Sequence, residues 1–428
     1  MTQTWFDASK RYQLGVGHVQ SGKTNIMLDY CKWSIQKQKK SVLFILKNSK
    51  PDLEQLTERI RIYNKQTGDP PLNSINVRKA RVFGLPRIYM ALGNSSQLKK
   101  FRELNPTTFH ICIDEADLCV KSNNNFAKME KEMAILKKAS SHILGMTATC
   151  LALLYHETNL ETVKLIKPPD NYYGRERIEK VELGMSLNTQ YDEFLKSDQG
   201  LLLHVEATKK IDQLAISLEY SQLYPQIMFC VYNGDGVHIR QHVQRKELLQ
   251  RLHIRDNNPN SIIRIKNHTI RDVIQAIKET KVKHASIISK NLANRGISFV
   301  STDFSYHLTH QILVPTKTIH DESLVQSLRI LGVYNKPCQL KLYTSRSAIE
   351  RIDSLYRATI KYTNGIANSK KVKQIFTRGV NPKKFSRPGC TKGLNWKKDD
   401  YGRIAFDDKT LIGDMTEVED EPWWELIN

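Results

Sequence analysis

Short apolar runs alternate with amphipathic stretches in the first half of the chain. Ser41–Lys47 and Phe109–Ile113 are almost wholly apolar, which is typical of strands buried in a parallel sheet. Asn25–Lys39 and Pro51–Tyr63 instead carry apolar residues at helical spacing. This alternation predicts an α/β domain in which helices cover a parallel sheet.

The same alternation resumes in the second half, after Pro168-Pro169-Asp170. Because a proline pair breaks regular structure, this tripeptide marks a linker. Beyond it, the pattern predicts strands at Gly200–Glu206, Gln226–Tyr232 and Ala285–Ser289, and helices at Lys209–Glu219 and Arg271–Glu279. From this order of elements we expect a second parallel sheet.

The segment between the predicted strand Tyr12–Val16 and the first predicted helix carries a nucleotide-binding pattern. Gly17–Thr24 reads GHVQSGKT and fits G-x-x-x-x-G-K-[ST] without a mismatch. In such a loop, backbone N–H groups surround the phosphates, the lysine neutralises the β- and γ-phosphates, and the hydroxyl holds Mg²⁺. The predicted ATP-binding residues are Gly17, Gln20, Ser21, Gly22, Lys23 and Thr24, with Thr24 as a Mg²⁺ ligand.

Two polar segments follow apolar strands further along the chain. Asp114 and Glu115 come directly after Phe109–Ile113, so Asp114 would reach the Mg²⁺ through water and Glu115 would orient the attacking water. Thr147 and Thr149 follow another short strand, where their hydroxyls are placed to sense the γ-phosphate. Taken alone, the acidic pair also fits a solvated loop, and the threonines also fit a polar turn.

Together these segments resemble those of superfamily-two helicases. Lys23 and Thr24 match motif I, Asp114–Asp117 (DEAD) matches motif II, and Thr147–Thr149 (TAT) matches motif III, in the same order and at similar spacing. The resemblance implies two tandem RecA-like P-loop domains with parallel sheets, and ATP bound between them.

The second half contains segments that resemble the remaining motifs. Asn294-Arg295-Gly296 resembles motif V, which implies that Asn294 and Arg295 couple the nucleotide site to the nucleic acid and that Gly296 contacts the nucleotide. Gln326–Gly332 (QSLRILG) resembles motif VI, which implies that Gln326 contacts the nucleotide and that Arg329 is the arginine finger. Without the resemblance, Arg329 would be read as a surface arginine on a helix.

Several segments are similar in sequence to those of one branch, the endonuclease-associated Z-one ATPase domain. The shared elements are V-Q-S-G-K-T at Val19–Thr24, P-x-x-Y-x-G at Pro169–Gly174, N-x-x-x-R-G at Asn291–Gly296 and Q-x-x-R-x-x-G at Gln326–Gly332. The resemblance spans roughly residues 10–345. One departure is that Ile330–Asn335 lacks the second arginine that this branch usually has after the finger.

Charge and cysteine usage narrow the class of protein. The net charge is +21, with 65 Lys and Arg against 44 Asp and Glu, which favours nucleic acid as a partner first and an anionic membrane second. The seven cysteines form no C-x-x-C pair, so neither a zinc site nor a disulfide framework is indicated. No signal peptide or membrane-spanning run is predicted. We expect a soluble intracellular protein that binds DNA rather than RNA, in a bacterial or viral cytoplasmic setting rather than a nucleus.

The C-terminal part of the chain is first basic and then acidic. Ala348–Tyr362 is predicted to be a helix, and Lys370–Lys398 is basic, contains no acidic residue and has interleaved aromatics. That stretch fits phosphate contact with base stacking and fits a solvated basic linker equally well. Trp423 and Trp424 follow an acidic run, which predicts either a protein-docking peptide or a segment that folds back on the basic stretch.

These observations predict an ATP-dependent nucleic-acid helicase or translocase. We expect a first RecA-like domain at 1–167, a linker at 168–195, a second RecA-like domain at 196–347 and a basic, then acidic, extension at 348–428. Two alternatives stay open at this point. One is a viral genome-packaging ATPase, and the other is a nucleic-acid-binding scaffold that ATP only switches between conformations.

Overall fold

The computed structural model contains two α/β lobes joined by short connections. It describes residues 6–48, 50–67, 70–117, 124–150, 153, 159–184, 186–206, 210–256, 261–290, 297–315, 321–335, 338–365, 397–398 and 404–405. Trp423 and Trp424, together with most of the basic stretch Lys370–Lys398, lie outside the described residues.

The first lobe is built on a seven-stranded sheet in which every strand pair is parallel. Its strands are β1 (Tyr12–Val16), β2 (Ser41–Leu46), β3 (Ser74–Asn76), β4 (Ile88–Leu92), β5 (Phe109–Ile113), β6 (Ile143–Thr147) and β7 (Thr162–Leu165). Their order across the sheet is β3-β4-β2-β5-β6-β1-β7. The strands β1, β5 and β6 are therefore neighbours, and their carboxyl ends meet at one edge.

Helices cover both faces of the sheets. They are α1 (Lys23–Lys32), α2 (Lys50–Thr67), α3 (Ser95–Glu103), α4 (Asn124–Ala139), α5 (Asn188–Leu195), α6 (Lys210–Leu223), α7 (Arg245–Arg251), α8 (Ile270–Glu279), α9 (Asp321–Gln326) and α10 (Arg346–Gly365). A π-helical turn, Trp33–Lys37, continues α1. None of the helices within the described residues has the length and apolar character needed to cross a bilayer.

Strand alternation divides the apolar side chains of the first lobe between two layers. Phe44 of β2 packs with Met27 of α1 and Leu56 of α2 on one face. Ile45, the next strand residue, belongs to the opposite face, which Phe101 of α3 helps to cover. Because both faces are covered, β2 reads as a continuous apolar run in the sequence.

The second lobe contains an eight-stranded mixed sheet, where the sequence predicted a parallel one. Its strands are β9 (Glu179–Glu182), β10 (Gly200–Glu206), β11 (Met228–Asn233), β12 (Gly236–Ile239), β13 (Ile263–Ile265), β14 (His284–Ser289), β15 (His310–Val314) and β17 (Lys341–Thr344). The order is β13-β12-β11-β14-β10-β15-β17-β9, and only the pairs that involve β12 are antiparallel. The predicted second parallel sheet is therefore present from β11 to β9, and β12 and β13 form an antiparallel edge that was not predicted.

A tight turn explains the antiparallel edge. Asn233 accepts a hydrogen bond from the backbone N–H of Asp235 at 2.9 Å, and Gly236 has φ +115°. Asparagine and glycine are the residues that stabilise such turns, because asparagine bonds its own backbone and glycine tolerates positive φ. The turn reverses the chain after β11, so β12 must run antiparallel to it.

The segment predicted as a linker, 168–195, contributes to the second lobe. It contains β9 and α5, and β9 pairs in parallel with β17 at the sheet edge. It also contains β8 (Tyr172–Tyr173), which forms a small antiparallel pair with β16 (Gly332–Val333). The pair with β16 connects this segment to the residues that directly follow the Arg329 region.

Helix α10 returns from the second lobe to the first. Its Asp353 forms salt bridges with Arg175 and Lys180, each at 3.0 Å. Further along the same helix, Thr363 Oγ1 lies 3.7 Å from the Sγ of Cys150, which follows β6. The start of the predicted C-terminal extension therefore packs against the body of the protein. Two short strands further on, β18 (Lys397–Lys398) and β19 (Ile404–Ala405), form an antiparallel pair.

Candidate functional site

The loop after β1 folds over the N-terminus of α1. Gln20 has φ 57° and Gly22 has φ +85°, so two left-handed residues turn the chain into the helix. The hydroxyl of Ser21 donates to the carbonyl of His18 at 2.9 Å and closes the loop. A loop of this shape directs backbone N–H groups inward at a helix N-terminus, where an anion is stabilised.

Lys23 is the first residue of α1, and its ammonium lies against the loop. Nζ donates to the carbonyl of His18 at 2.5 Å and to that of Gly17 at 3.3 Å. Burial lowers the pKa of Lys23, and the nearby carboxylates of Glu115 and Asp114 oppose that shift. The site therefore holds a buried amine beside two acids.

The acidic pair lies at the carboxyl end of β5. Burial, reinforced by the charge of Glu115, raises the pKa of Asp114 to about 7, although Arg59 and Lys23 act in the opposite direction. Glu115 has φ 52°, a conformation that costs a non-glycine residue roughly 1–3 kcal/mol. Its backbone N–H donates to Oδ1 of Asp114 at 3.1 Å, which orients the Asp114 carboxyl against the chain at this turn.

Thr147 and Thr149 are buried and bind Asp117, the last residue of the DEAD segment. Thr147 Oγ1 donates to Oδ1 of Asp117 at 2.8 Å, and Thr149 Oγ1 donates to Oδ2 at 3.1 Å. The N–H of Thr149 also donates to Oγ1 of Thr147 at 3.0 Å. The structure thus connects the two segments that resemble motifs II and III through hydrogen bonds.

Two residues from the second lobe reach this edge of the first lobe. Gln326 Nε2 donates to Oε2 of Glu115 at 3.2 Å and to Oγ1 of Thr149 at 3.3 Å. The Arg329 guanidinium donates from Nη1 to the Gln326 carbonyl at 3.1 Å and from Nε to the Ile297 carbonyl at 3.1 Å. Gln326 is the last residue of α9 and Arg329 lies three residues further on, and both side chains are buried.

The phosphate-binding loop contacts Arg329 directly. With its amide oriented to pair donors with acceptors, Gln20 accepts from Nε and Nη2 of Arg329 at 3.2 Å each and donates to the Leu331 carbonyl at 3.1 Å. Gly332 comes close to the same amide, because a Cβ built on it would lie 3.2 Å from the end of the Gln20 side chain. A glycine at this position therefore lets the two lobes approach each other.

Aromatic residues support the loop from its other side. The hydroxyl of Tyr172 donates to the Val19 carbonyl at 2.8 Å. The ring of His18 lies 5.3 Å from that of Tyr172 and stacks on Tyr356 of α10 at the same centroid distance. Burial, followed by the charges of Lys23 and Arg175, lowers the pKa of His18 to about 3, so its ring is neutral near pH 7. The P-x-x-Y-x-G element thus contributes a tyrosine that holds the loop backbone.

A cavity of about 370 Å³ lies where the two lobes meet. Its lining includes the loop from Val19 to Thr24, the acidic pair Asp114 and Glu115, and both Gln326 and Arg329. Small-molecule sites commonly fall in the range of about 300–1,000 Å³. The volume and the cluster of cationic and N–H groups fit a nucleotide.

The structure does not place every predicted residue at this cavity. Asn294, Arg295 and Gly296 lie outside the described residues, so their roles stay predictions. Thr147 and Thr149 connect to the cavity through Asp117 and Gln326.

Arg59 is a site residue that the sequence analysis missed. It lies on α2, and its Nη1 donates to Oγ1 of Thr24 in a short hydrogen bond. Its Nη2 lies 3.4 Å from Oγ of Ser298 in the second lobe. The pattern around Arg59 is that of an ordinary amphipathic helix, so the local sequence gives no signal of this contact.

The donor atoms near Thr24 fit a divalent cation. The Thr24 hydroxyl and the Asp114 carboxyl both offer oxygen atoms, which hard cations such as Mg²⁺ prefer as ligands. A positively charged group, the Arg59 guanidinium, already lies on the Thr24 hydroxyl. The site therefore attracts positive charge at the position where the loop pattern predicts Mg²⁺.

Comparison with protein-family models and with curated proteins finds no match. Solved structures do match. The chain is similar to S. cerevisiae Dbp5 bound to RNA and ADP BeF3, with a TM-score of 0.53 and 10% identity over 87% of this chain and 90% of that one. It is also similar to the DUF1998 helicase MrfA bound to DNA, with a TM-score of 0.51 and 13% identity over 82% of this chain and 49% of that one. The chain therefore shares the tandem RecA-like fold of these two structures.

Proposed function

We propose that this chain is an ATP-dependent nucleic-acid helicase or translocase that hydrolyses ATP between its two lobes. One observation carries the proposal: Lys23 of the first lobe and Arg329 of the second lobe line the same cavity. The acidic pair Asp114 and Glu115 lines it as well. Phosphoryl transfer depends on positioning and charge stabilisation, and these groups are the ones it requires.

Each side chain has a role that follows from its position. Lys23 neutralises the β- and γ-phosphates, while the backbone N–H groups of Gln20 and its neighbours surround them. Glu115 orients the attacking water, and Arg329 stabilises charge on the transferred group. Thr24 and Asp114 are the residues that would hold Mg²⁺, which when bound neutralises charge on the β- and γ-phosphate oxygens.

Hydrogen bonds between the lobes couple the site to movement. Gln326 contacts Glu115 and Thr149, so opening of the cleft separates it from both of these groups. Thr149 is in turn bound to Asp117, which supports transmission of the nucleotide state into the first lobe. Alternating closure and opening of the cleft would then drive movement along a strand.

Nucleic acid is the partner that charge and similarity support. The net charge of +21 favours a polyanion. Of the two similar structures, one is bound to RNA and the other to DNA. We propose DNA as the substrate of this chain, with Asn294 and Arg295 contributing to the coupling and the basic stretch Lys370–Lys398 adding phosphate contacts.

ATP turnover measured side by side with single-stranded DNA, duplex DNA and RNA tests the proposal. We expect stimulation by DNA and loss of turnover in Lys23→Ala. A strand-displacement assay distinguishes the alternatives, because a scaffold binds nucleic acid but neither turns over rapidly nor unwinds. Duplex-stimulated turnover without displacement would exclude a helicase and leave a duplex translocase or a packaging-type motor. Turnover that nucleic acid does not change would refute the proposal.

A further inference from the structure

Arg59 binds a P-loop side chain from outside the P-loop. Its Nη1 donates to the Thr24 hydroxyl, the oxygen that the loop pattern assigns to Mg²⁺. Helix α2 also directs Gln55 and Arg59 at Ser298 of the second lobe, each at 3.4 Å from Oγ. Arg59 therefore joins the metal-binding end of the loop to the facing lobe.

Negative charge surrounds this guanidinium. Asp114 and Asp52 are the carboxyl groups whose charges act on Arg59. A second, small cavity of about 20 Å³ lies beside them, and its lining includes Thr24, Asp52, Arg59 and Asp114. That volume holds about one water-sized particle. Its lining also includes Glu115 and Lys47. The position is therefore small and offers carboxyl and hydroxyl oxygens, which are the atoms that a hard divalent cation prefers.

We infer that the Arg59 guanidinium occupies the cation-binding position of the nucleotide site and leaves this position when a divalent metal ion binds there. The inference rests on the proposed function, since it concerns the nucleotide site. The Thr24 oxygen and the Asp114 charge are the same two features that attract guanidinium and metal. Like charges repel at this range, so the two cations compete for the position.

Competition has a measurable consequence for nucleotide affinity. While Arg59 is in place, the site already carries a positive charge, so nucleotide binding gains little from added metal. Without the guanidinium, metal-free binding weakens because the phosphates lose a cation, and metal-dependent binding strengthens because the competitor is gone. The ratio of the dissociation constant in EDTA to that in Mg²⁺ therefore reports the role of Arg59.

The experiment measures binding of a fluorescent ATP analogue in EDTA and in Mg²⁺. We expect the ratio to rise about tenfold or more in Arg59→Met, because hydrogen bonds to charged groups are among the stronger ones. Arg61→Met is the matched control, since Arg61 lies on the same helix and its partner is the exposed Glu58. Its ratio should equal that of the wild type. If Arg59→Met does not fold, Arg59→Gln should show the same rise.

Mn²⁺ binding to the nucleotide-free protein, followed by electron paramagnetic resonance, gives a second readout. Arg59→Met should bind Mn²⁺ more tightly than the wild type. An unchanged ratio together with unchanged Mn²⁺ affinity would overturn the inference while nucleotide binding that depends on Lys23 persists. A wild type that binds no nucleotide, or a Lys23→Ala variant that binds it normally, would instead refute the proposed function.

Discussion

Replacement of Arg329 by alanine is expected to stop ATP hydrolysis and to leave ATP binding largely intact. The guanidinium lies in the cavity and donates to the Ile297 and Gln326 carbonyls, so it is already held opposite the P-loop. An arginine finger contributes roughly 10³–10⁵-fold to the rate. That factor corresponds to about 4–7 kcal/mol of transition-state stabilisation.

The same substitution has a structural cost that must be measured separately. Arg329→Ala removes the donors to the Ile297 and Gln326 carbonyls, and each hydrogen bond to a charged group is worth about 1.5–3 kcal/mol. We expect a lower free energy of unfolding, by a few kcal/mol, beside the loss of turnover. Urea unfolding measures the first effect, and single-turnover hydrolysis at saturating ATP measures the second.

Arg346→Ala is the matched control for this prediction. Arg346 is exposed and pairs with Glu350 one turn along α10. Exposed pairs of this kind contribute about 0–1 kcal/mol, so both measurements should match the wild type. A folded Arg329→Ala variant that hydrolyses ATP at the normal rate would refute the two-lobe site.

Three further substitutions and one deletion test other parts of the protein. Lys23→Ala should abolish ATP turnover and leave nucleic-acid binding largely intact in a filter-binding assay. Gln326→Ala should lower the turnover rate by about 30-fold, because two hydrogen bonds to the first lobe are lost at about 1 kcal/mol each. Tyr356→Ala should lower the free energy of unfolding by about 3 kcal/mol, since the ring that stacks on His18 is removed. Deleting residues 366–428 should weaken DNA binding and flatten its dependence on salt.

Controls separate these effects from general damage. Lys37→Ala should retain turnover because Lys37 is exposed at the end of the π-helical turn. Tyr356→Phe keeps the stacked ring and should unfold near the wild-type urea concentration. Unaltered turnover in Lys23→Ala or Gln326→Ala would remove that residue from the mechanism. Wild-type unfolding of Tyr356→Ala would show that α10 does not support the loop, and an unchanged salt slope would leave the basic stretch as a linker.

The central strands of both sheets could be predicted because each is a run of consecutive buried residues. The prediction for β10, Gly200–Glu206, coincides with the strand observed, and the prediction for β1 does as well. Both are mostly apolar runs that are buried on two faces. Such a run can be recognised in the sequence without knowing which strands pair with it. The direction of β12 was missed because the turn residues Asn233–Gly236 were read only as the end of a strand.

Some features of the candidate site could likewise be predicted from the sequence, and others could not. The Gly17–Thr24 pattern could be recognised because it lies in one short segment, and its phosphate-binding role stays a prediction. The structure adds that Gly22 is left-handed, which suits glycine. The contacts of Asp117 with Thr147 and Thr149 depend on β5 and β6 being neighbours, which the strand pattern alone does not state. The contact of Arg59 with Thr24 could not be predicted, because a helical pattern shows on which face of the helix a residue lies but not which residue lies opposite that face.

The sequence by itself determined the α/β class and the places of the Gly17–Thr24 loop and of the acidic pair directly after strands, because each depends on residues close together in the chain. Only the tertiary structure decided that Arg329 lies opposite Lys23 and that Arg59 lies on Thr24. These contacts join segments that are far apart in the chain. Their geometry depends on how two packed sheets and their helices fit together, which is the summed result of many core contacts rather than of any local pattern.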